Sequence, residues 1–599
     1  MQSLLFYIKK LIQFWSQLNY QRKKQYGFLL ILMIVASFAE IVSIGAVFPF
    51  IGAITNPNQI FNHPATEPLI RILYLSSPEQ LVLPLTIIFI VITLAAGCIR
   101  LLLLLVNTKL SFLTGSDVSV SIYRKTLYQP YEVHISRNSS EIINGIATKV
   151  NAVVHITMQS LNLLSSVIII IAITAALVYV DPIIALSTIG CFSMIYLTIA
   201  VITNKKLLSN GRIVARESNR LVMCLQEGLG GIRDIIIAGN QEAYSKAYRA
   251  ADLPSRRAQG NTSFISASPK YVVEAFGIVL IALIAYALTL RSNPSDLTAI
   301  PALGLLALAG QRLLPNLQQA YGSWSSIQGQ LASFEDVLEL LSQSVTENVT
   351  NSHTPRLNFV DEIQLRKISY RYNSNAPWII KDLDLTIKAG SCVGFIGVTG
   401  CGKSTLMDII MGLLVPSSGE VLVDGVEVTH VNVRDWHQNI AHVPQDIFLV
   451  DNTIAENIAL GKRVEGIDHD RVKFVAQQAK IAETVEAWSQ GYDTVVGERG
   501  VRLSGGQRQR LGIARALYCD PTIIIFDEAT SALDNETEDD VMQSIEKLND
   551  NLTILIVAHR TTTLKNCDVI IQLGSTGNII RSGTYDQIFH SSEQLQVII

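Results

Sequence analysis

Six apolar windows, each close to the roughly 20 residues a helix needs to cross the hydrocarbon core of a bilayer, constrain this chain more than any other feature. They run over residues 28–50, 83–106, 163–180, 183–202, 272–290 and 299–314, and the stretches 85–99 and 163–180 carry no charge at all. An isolated strand in lipid leaves backbone groups unpaired, so each window predicts a helix. Charged residues make up 16% of the 599, against roughly 25% in soluble proteins. The deficit is confined to the first part, because beyond residue 355 charges recur at the spacing of a soluble α/β protein. The reading is a membrane domain with six helices over 1–341, a polar linker over 342–356 and a soluble domain over 357–599.

Lysine and arginine are retained on the cytoplasmic side of membrane segments. They crowd the segment before the first window (Lys9, Lys10, Arg22, Lys23, Lys24) and the long connections after the second and fourth windows, leaving Arg71 and Arg291 for the opposite side. Both termini, and with them the soluble domain, are therefore expected in the cytoplasm. The two inner connections exceed fifty residues each, which predicts helices continuing out of the membrane. Breaks at Pro130 and at Gly228 with Gly230-Gly231 predict short cross-helices near 129–140 and 226–242. A proline-bounded stretch, 69–75, predicts a short external helix.

Net charge of -3 offers no footprint for nucleic acid. None of the seven cysteines falls in a predicted external loop, so no disulfide framework is expected. No removable leader is expected either. Glu40, Arg100, Glu274 and Arg312 fall in or beside predicted spans, where an unpaired charge costs at least about 2.5–3.5 kcal/mol. Interhelical ion pairing, snorkelling and contact with a transported molecule all stay open for them; Arg312, roughly 20 Å into its span, is the strongest candidate for a substrate cavity, with Arg100 second.

In the soluble half an apolar strand (CVGFI) runs into Gly397-Val-Thr-Gly-Cys-Gly-Lys-Ser-Thr405 and then a helix, the context a phosphate-binding loop requires. Gly397, Thr399, Gly400, Cys401, Gly402 and Thr405 form the cradle. Lys403 is expected to reach the β- and γ-phosphates of ATP, and Ser404 to ligate Mg²⁺. A second strand (TIIIF) ends in Asp527-Glu528, whose side chains should alternate: Asp527 toward the metal, Glu528 toward the attacking water. A third strand ends at His559. Ser504, Gly505, Gly506 and Gln507 open a helix and make a second anion site. One domain cannot use both sites on one ATP, so the segment is expected to cap nucleotide bound by a second copy, in a two-fold homodimer.

These residues resemble the ABC transporter family, specifically exporters that fuse a polytopic α-helical membrane domain to an α/β P-loop ATPase domain. The resemblance implies an adenine-stacking Tyr372, a Q-loop Gln445 that senses the γ-phosphate and joins the metal shell, a signature at 503–507, catalytic Glu528, a D-loop at 531–534 and switch histidine His559. It implies ATP and Mg²⁺ as cofactors and alternating access as the mechanism. The membrane half (Gln129-Pro-Tyr131, Gln226 to Asp234, Pro269 to Glu274, Gln311 to Pro315) is most similar to bacterial flippases of lipid-linked oligosaccharides and to polysaccharide or glycolipid exporters. An amphipathic lipid-linked cargo crossing the inner membrane is expected. The rivals are an exporter of peptides or hydrophobic small molecules and an ATP-gated regulatory membrane protein.

Overall fold

The computed structural model of the protein describes the chain apart from residues 1, 56, 63–65, 181, 292–298, 345–356, 531, 547–550, 559 and 590–599, and apart from further side chains inside helices, Arg312 among them. It divides into two compact units: residues 1–129 with 136–345, and residues 130–135 with 346–599. Most of the expected linker lies outside the described residues.

The first unit is helical throughout. Its elements are α1 (Gln2–Gln17), α2 (Tyr20–Gly45), α3 (Val47–Thr55), α4 (Pro57–Phe61), α5 (Glu67–Leu73) and α6 (Val82–Leu127), and then, beyond α7 (Tyr131–Ser136), α8 (Ser139–Asn144), α9 (Val150–Val180), α10 (Pro182–Gly230), α11 (Ile232–Ile237), α12 (Gln241–Arg291) and α13 (Ala299–Leu341). Among the described residues, Tyr20–Ser43, Pro78–Leu127 and Ser139–Ala175 are long and apolar enough to cross a membrane. With 46, 49 and 51 residues, α6, α10 and α12 are roughly 70–75 Å long, more than twice a hydrocarbon core. Short helices fall in both cross-helix regions: α7 after α6, with α8 starting where that region ends, and α11 after α10.

The first window is not one helix, because α2 stops at Gly45 and α3 starts at Val47. Pro49 has no N–H for the carbonyl four residues earlier, and its ring crowds that carbonyl, which belongs to Gly45. Pro254 and Pro269 in α12 and Pro315 in α13 do not end their helices, since neighbouring helices hold the backbone on both sides of the lost bond.

Helices α9 and α13 bury Val153 and Ile156 against Ile327, Leu331 and Phe334. Polar ties fix their register: Lys149 pairs with Asp336, and Ser323 donates to Gln159 at 2.9 Å. Where α10 crosses α13 the backbones nearly touch. A Cβ on Gly211 would lie 2.6 Å from the carbonyl oxygen of Gly329, so no larger residue fits without parting the helices. Arg100 on α6 pairs with Glu40, a buried carboxylate on α2.

The second unit contains β1 (Glu362–Tyr370), β2 (Ile380–Lys388), β3 (Cys392–Gly397), α14 (Lys403–Ile410), β4 (Ser418–Val423), β5 (Val426–Glu427), α15 (Val433–His437), β6 (Ile440–Val443), α16 (Ile454–Ile458), α17 (His469–Gln478), α18 (Ala482–Glu486), α19 (Gly505–Tyr518), β7 (Ile523–Asp527), α20 (Asn535–Glu546), β8 (Thr553–Val557), β9 (Val569–Leu573), β10 (Ile579–Gly583) and α21 (Tyr585–Phe589). A four-stranded sheet, ordered β2-β1-β4-β5, is antiparallel, and a six-stranded sheet is ordered β10-β9-β3-β8-β7-β6. In the larger sheet every pairing except β10 with β9 is parallel.

Alternation along these strands feeds two cores, one on each face of the larger sheet. Val393, Phe395, Ile523, Ile525, Leu555 and Val557 enter one, while Ile524, Phe526, Ile554 and Ile556 enter the other. Covered faces on both sides explain why these strands read as unbroken apolar runs.

Candidate nucleotide site

Four neighbouring strands, β3, β8, β7 and β6, end flush. Phe395 pairs with Val557, Asp527 with Val557, and Phe526 with Val443. Their carboxyl ends thus line up the loop 397–402, the chain leading to residue 559, the Asp527-Glu528 pair and, two residues beyond β6, Gln445. Open parallel sheets place ligands at this edge. His559 itself lies outside the described residues, as does Ser531 of the expected D-loop.

The loop closes on α14 at Gly402, with φ +96°. Its missing Cβ would lie 2.9 Å from Ile379 Cγ2, so glycine is required by both conformation and space. Cys401 is fully buried beneath the loop. The Lys403 ammonium donates to the carbonyls of Gly397 at 2.9 Å and Val398 at 3.3 Å, holding it across the loop at the N-terminus of α14. Tyr372 is half-exposed beside the loop, its hydroxyl 3.4 Å from Thr405 Oγ1, and its ring meets the edge of Tyr370 at 5.3 Å.

Strand alternation does not aim Glu528. The residue adopts φ +53°, a left-handed conformation that costs a non-glycine residue roughly 1–2 kcal/mol. Its N–H still bonds the Val557 carbonyl at 2.9 Å, so the chain turns sharply while anchored to β8. The carboxylate then accepts from the Gln445 side-chain amide at 2.9 Å. Backbone strain held at such a point is a mark of a functional site.

Ser504 caps α19 in a reciprocal box: Gln507 N–H donates to Ser504 Oγ at 3.2 Å, and Ser504 N–H donates to the Gln507 side chain at 2.8 Å. The segment packs on the chain after β7, because a Cβ on Gly506 would lie 3.2 Å from the Ala532 carbonyl. Buried Gln509 accepts from Ala532 N–H at 2.9 Å. The expected signature and D-loop segments are thus one packed block, which contact between residues 505–509 and 532 decides and no local pattern signals.

The unit also takes in residues 130–135. The Val415 N–H donates to the Glu132 carboxylate of α7 at 3.4 Å, and burial, then the Asp408 charge, push the Tyr131 phenol up.

Sequence reading passed over Asp408. It lies on α14 five residues after Lys403, and burial, then the charge of Asp527, raise its carboxyl to about 6. The native carboxyl takes up a proton near pH 6, the unfolded one only near 3.8, so the fold binds more protons in that interval and gains stability as pH falls through it. Asp408→Asn should therefore stabilise the nucleotide-free protein by up to about 2 kcal/mol at pH 7.5. The gain shrinks through pH 6 and is absent below about pH 4. Thermal melts across that range check this; an equal gain at both ends contradicts it.

A glycine loop closing on a helix, a strained carboxylate bonded to a glutamine and a capped helix start share one α/β unit, here joined to a helical unit with apolar helices long enough to cross a membrane. The model of the ABC transporter transmembrane region matches residues 8–311, half of the chain, and that of the ABC transporter itself matches residues 380–531. The chain belongs to the ABC transporter family, in the form that fuses both units. It is 27% identical over 475 residues to the ATP-dependent lipid A-core flippase of Ralstonia nicotianae, covering 79% of each. It is 30% identical over 412 residues to the heterocyst differentiation ATP-binding protein HepA of Nostoc, covering 68% of this chain and 66% of that one. The leukotoxin export ATP-binding protein LtxB of Aggregatibacter actinomycetemcomitans is 36% identical over 300 residues, but only 42% of its length is matched. The fold matches a solved bacterial Atm1-family ABC exporter with ATP bound, with a TM-score of 0.79 over 96% of this chain and 97% of that one at 21% identity. The protein is thus an exporter that couples ATP hydrolysis to transport across a membrane.

Proposed function

We propose that the cargo is an amphipathic lipid-linked saccharide or glycolipid, moved across the bacterial inner membrane by alternating access in a homodimer with both termini and the ATPase unit in the cytoplasm. The observation that carries the reading is a cavity of about 810 Å³ in the membrane unit. Its walls come from α9, α10, α12 and α13 and carry Ser218, Ser255, Ser266 and Ser326 together with His155 and Gln259. Hydroxyls, amides and an imidazole match the hydroxyls of a sugar head, and Lys149 and Arg256 on the same walls match an anionic group on it; the lining residues lie on the cytoplasmic side of the predicted spans, where such a head enters. The lipid A-core flippase alignment spans more residues than the ATPase unit holds, so that likeness extends into the membrane unit. Arg100 has its counter-charge in Glu40, which leaves Arg312, of the two span arginines, as a contact proposed for an anionic head.

At the nucleotide, the loop amides and Lys403 bind the phosphates, Tyr372 stacks on adenine, Glu528 takes the proton of the attacking water, and Gln445 orients that carboxylate. His559 is assigned to the γ-phosphate. Ser404, Asp527 and the Gln445 carbonyl are hard oxygen donors that fit Mg²⁺, which when bound neutralises charge on the phosphate oxygens.

The cargo is tested in proteoliposomes, where lipid-linked oligosaccharides or glycolipids should raise ATP turnover severalfold and change leaflet. Stimulation by peptides with no response to saccharide lipids would sink the reading. For the homodimer, the exposed Ile236 and Ile237 of α11 are apolar side chains that need cover, and the mixed variants Lys403→Ala and Ser504→Asp give the test. Aspartate keeps the helix cap but repels phosphate. Each variant alone has no intact composite site, while random mixing restores about one quarter of wild-type turnover if sites are shared between copies. No recovery on mixing would refute sharing.

A further inference from the structure

We propose that Cys392 and Cys567 are a redox modification site: a thiol pair that hydrogen peroxide converts reversibly to a disulfide. The two sulfurs are 3.2 Å apart although 175 residues separate them in sequence. Their backbones are already pinned at strand spacing. Asp568 N–H donates to the Cys392 carbonyl at 2.9 Å, the Asp568 carboxylate accepts from Cys392 N–H at 2.9 Å, and the next pair in register is Val393 with Val569. That register sets Cys392 opposite Asp568, one residue from Cys567, and with the sulfurs already 3.2 Å apart, rotation of the two side chains is the movement that closure to a bond of about 2.05 Å asks for.

Access is asymmetric. Cys567 is buried, whereas Cys392 is half-buried and forms part of a cavity of about 150 Å³ walled by Glu538, Met542 and Gln543 of α20 and by Thr563 and Lys565. That volume admits a molecule the size of hydrogen peroxide and no macromolecule. The Cys392 thiolate attacks one peroxide oxygen, the O–O bond breaks, and the sulfur becomes a sulfenic acid with release of water after protonation. The Cys567 sulfur then attacks the sulfenic sulfur, the S–O bond breaks, a second water leaves, and the two-electron oxidation is complete.

The link has a mechanical consequence. Cys567 closes the connection from β8 to β9, the connection that begins beside His559, and Cys392 opens the strand that ends in the phosphate-binding loop. A covalent tie between them restrains the first element against the second, so the oxidised protein should turn over ATP more slowly.

Full-length protein in nanodiscs, treated with hydrogen peroxide and then catalase, is digested without reduction. The expected result is a peptide containing Cys392 joined to one containing Cys567, two hydrogens lighter than the sum, and lost on adding dithiothreitol. ATP turnover should fall by at least about twofold and recover with the same reductant. In Cys567→Ser the joined peptide and the recoverable fall should both vanish; Cys567→Ala serves where the serine variant does not fold, and the map of the unmutated chain decides the link alone. Oxidation confined to Cys98, Cys401 or Cys519 overturns the site. An inhibition that persists in the Cys567 variants, or a link that leaves turnover unchanged, overturns its coupling to hydrolysis.

Discussion

Glu528→Gln should abolish steady-state ATP hydrolysis, lowering turnover at least about a hundredfold, while ATP still binds. The structure makes this a clean substitution. The glutamine amide has the shape of the carboxylate, its carbonyl can still accept from the Gln445 side chain, and the Glu528 backbone bond to Val557 does not involve the side chain. What is lost is a group able to take a proton from water. Phosphate release measures the hydrolysis, and retention of ATP after gel filtration measures binding. Turnover within about fivefold of the wild type would remove Glu528 from the role of base; loss of binding instead would mean that the strained turn had collapsed.

Lys403→Ala should raise the Kd for ATP by about a hundredfold, the loss of roughly 2.7 kcal/mol that charge-assisted bonds to phosphate supply. The ammonium also ties down the carbonyls of Gly397 and Val398, so the variant loses a clamp on the loop as well as a charge. Lys403→Arg separates the two contributions. Arginine keeps the charge but its planar head does not fit the buried path of the Lys403 stem, so it should restore only part of the affinity. Titration with a fluorescent ATP analogue gives both constants. An affinity for Lys403→Ala within about threefold of the wild type would place the phosphates elsewhere.

The two substitutions differ in how far sequence alone leads to them. Lys403 is legible because its loop is contiguous: a strand, glycines and a helix within a few residues dictate where the ammonium goes. Glu528 is legible as a residue but not as a geometry. Period-two alternation predicts its direction from Asp527, yet the chain leaves the strand there in a left-handed turn, and only the anchoring bond to β8 and the amide of Gln445, 83 residues away, hold it. Asp408 lies in plain view on the helix after the loop, but its raised pKa comes from burial and from Asp527, neither of which is near it in sequence.

The membrane half divides along the same line. Window lengths and the bias of lysine and arginine suffice for long helices with short cross-helices between them, because the cost of unpaired backbone in lipid leaves few alternatives. They do not reveal that residues 130–135 belong to the compact unit of the ATPase. Nor do they decide among the options for Arg100, whose charge is met by Glu40 on another helix.

Sequence by itself determined the kind of the long elements and the strand, glycine loop and helix that hold Lys403, since hydrophobic period, glycine placement and side-chain type act over a few residues. Tertiary structure alone decided which distant groups face one another: Glu528 with Gln445, Gly506 with Ala532, Arg100 with Glu40, Cys392 with Cys567. Those pairings follow from sheet order and helix crossing, which depend on packing the whole unit at once and leave no local trace in the chain.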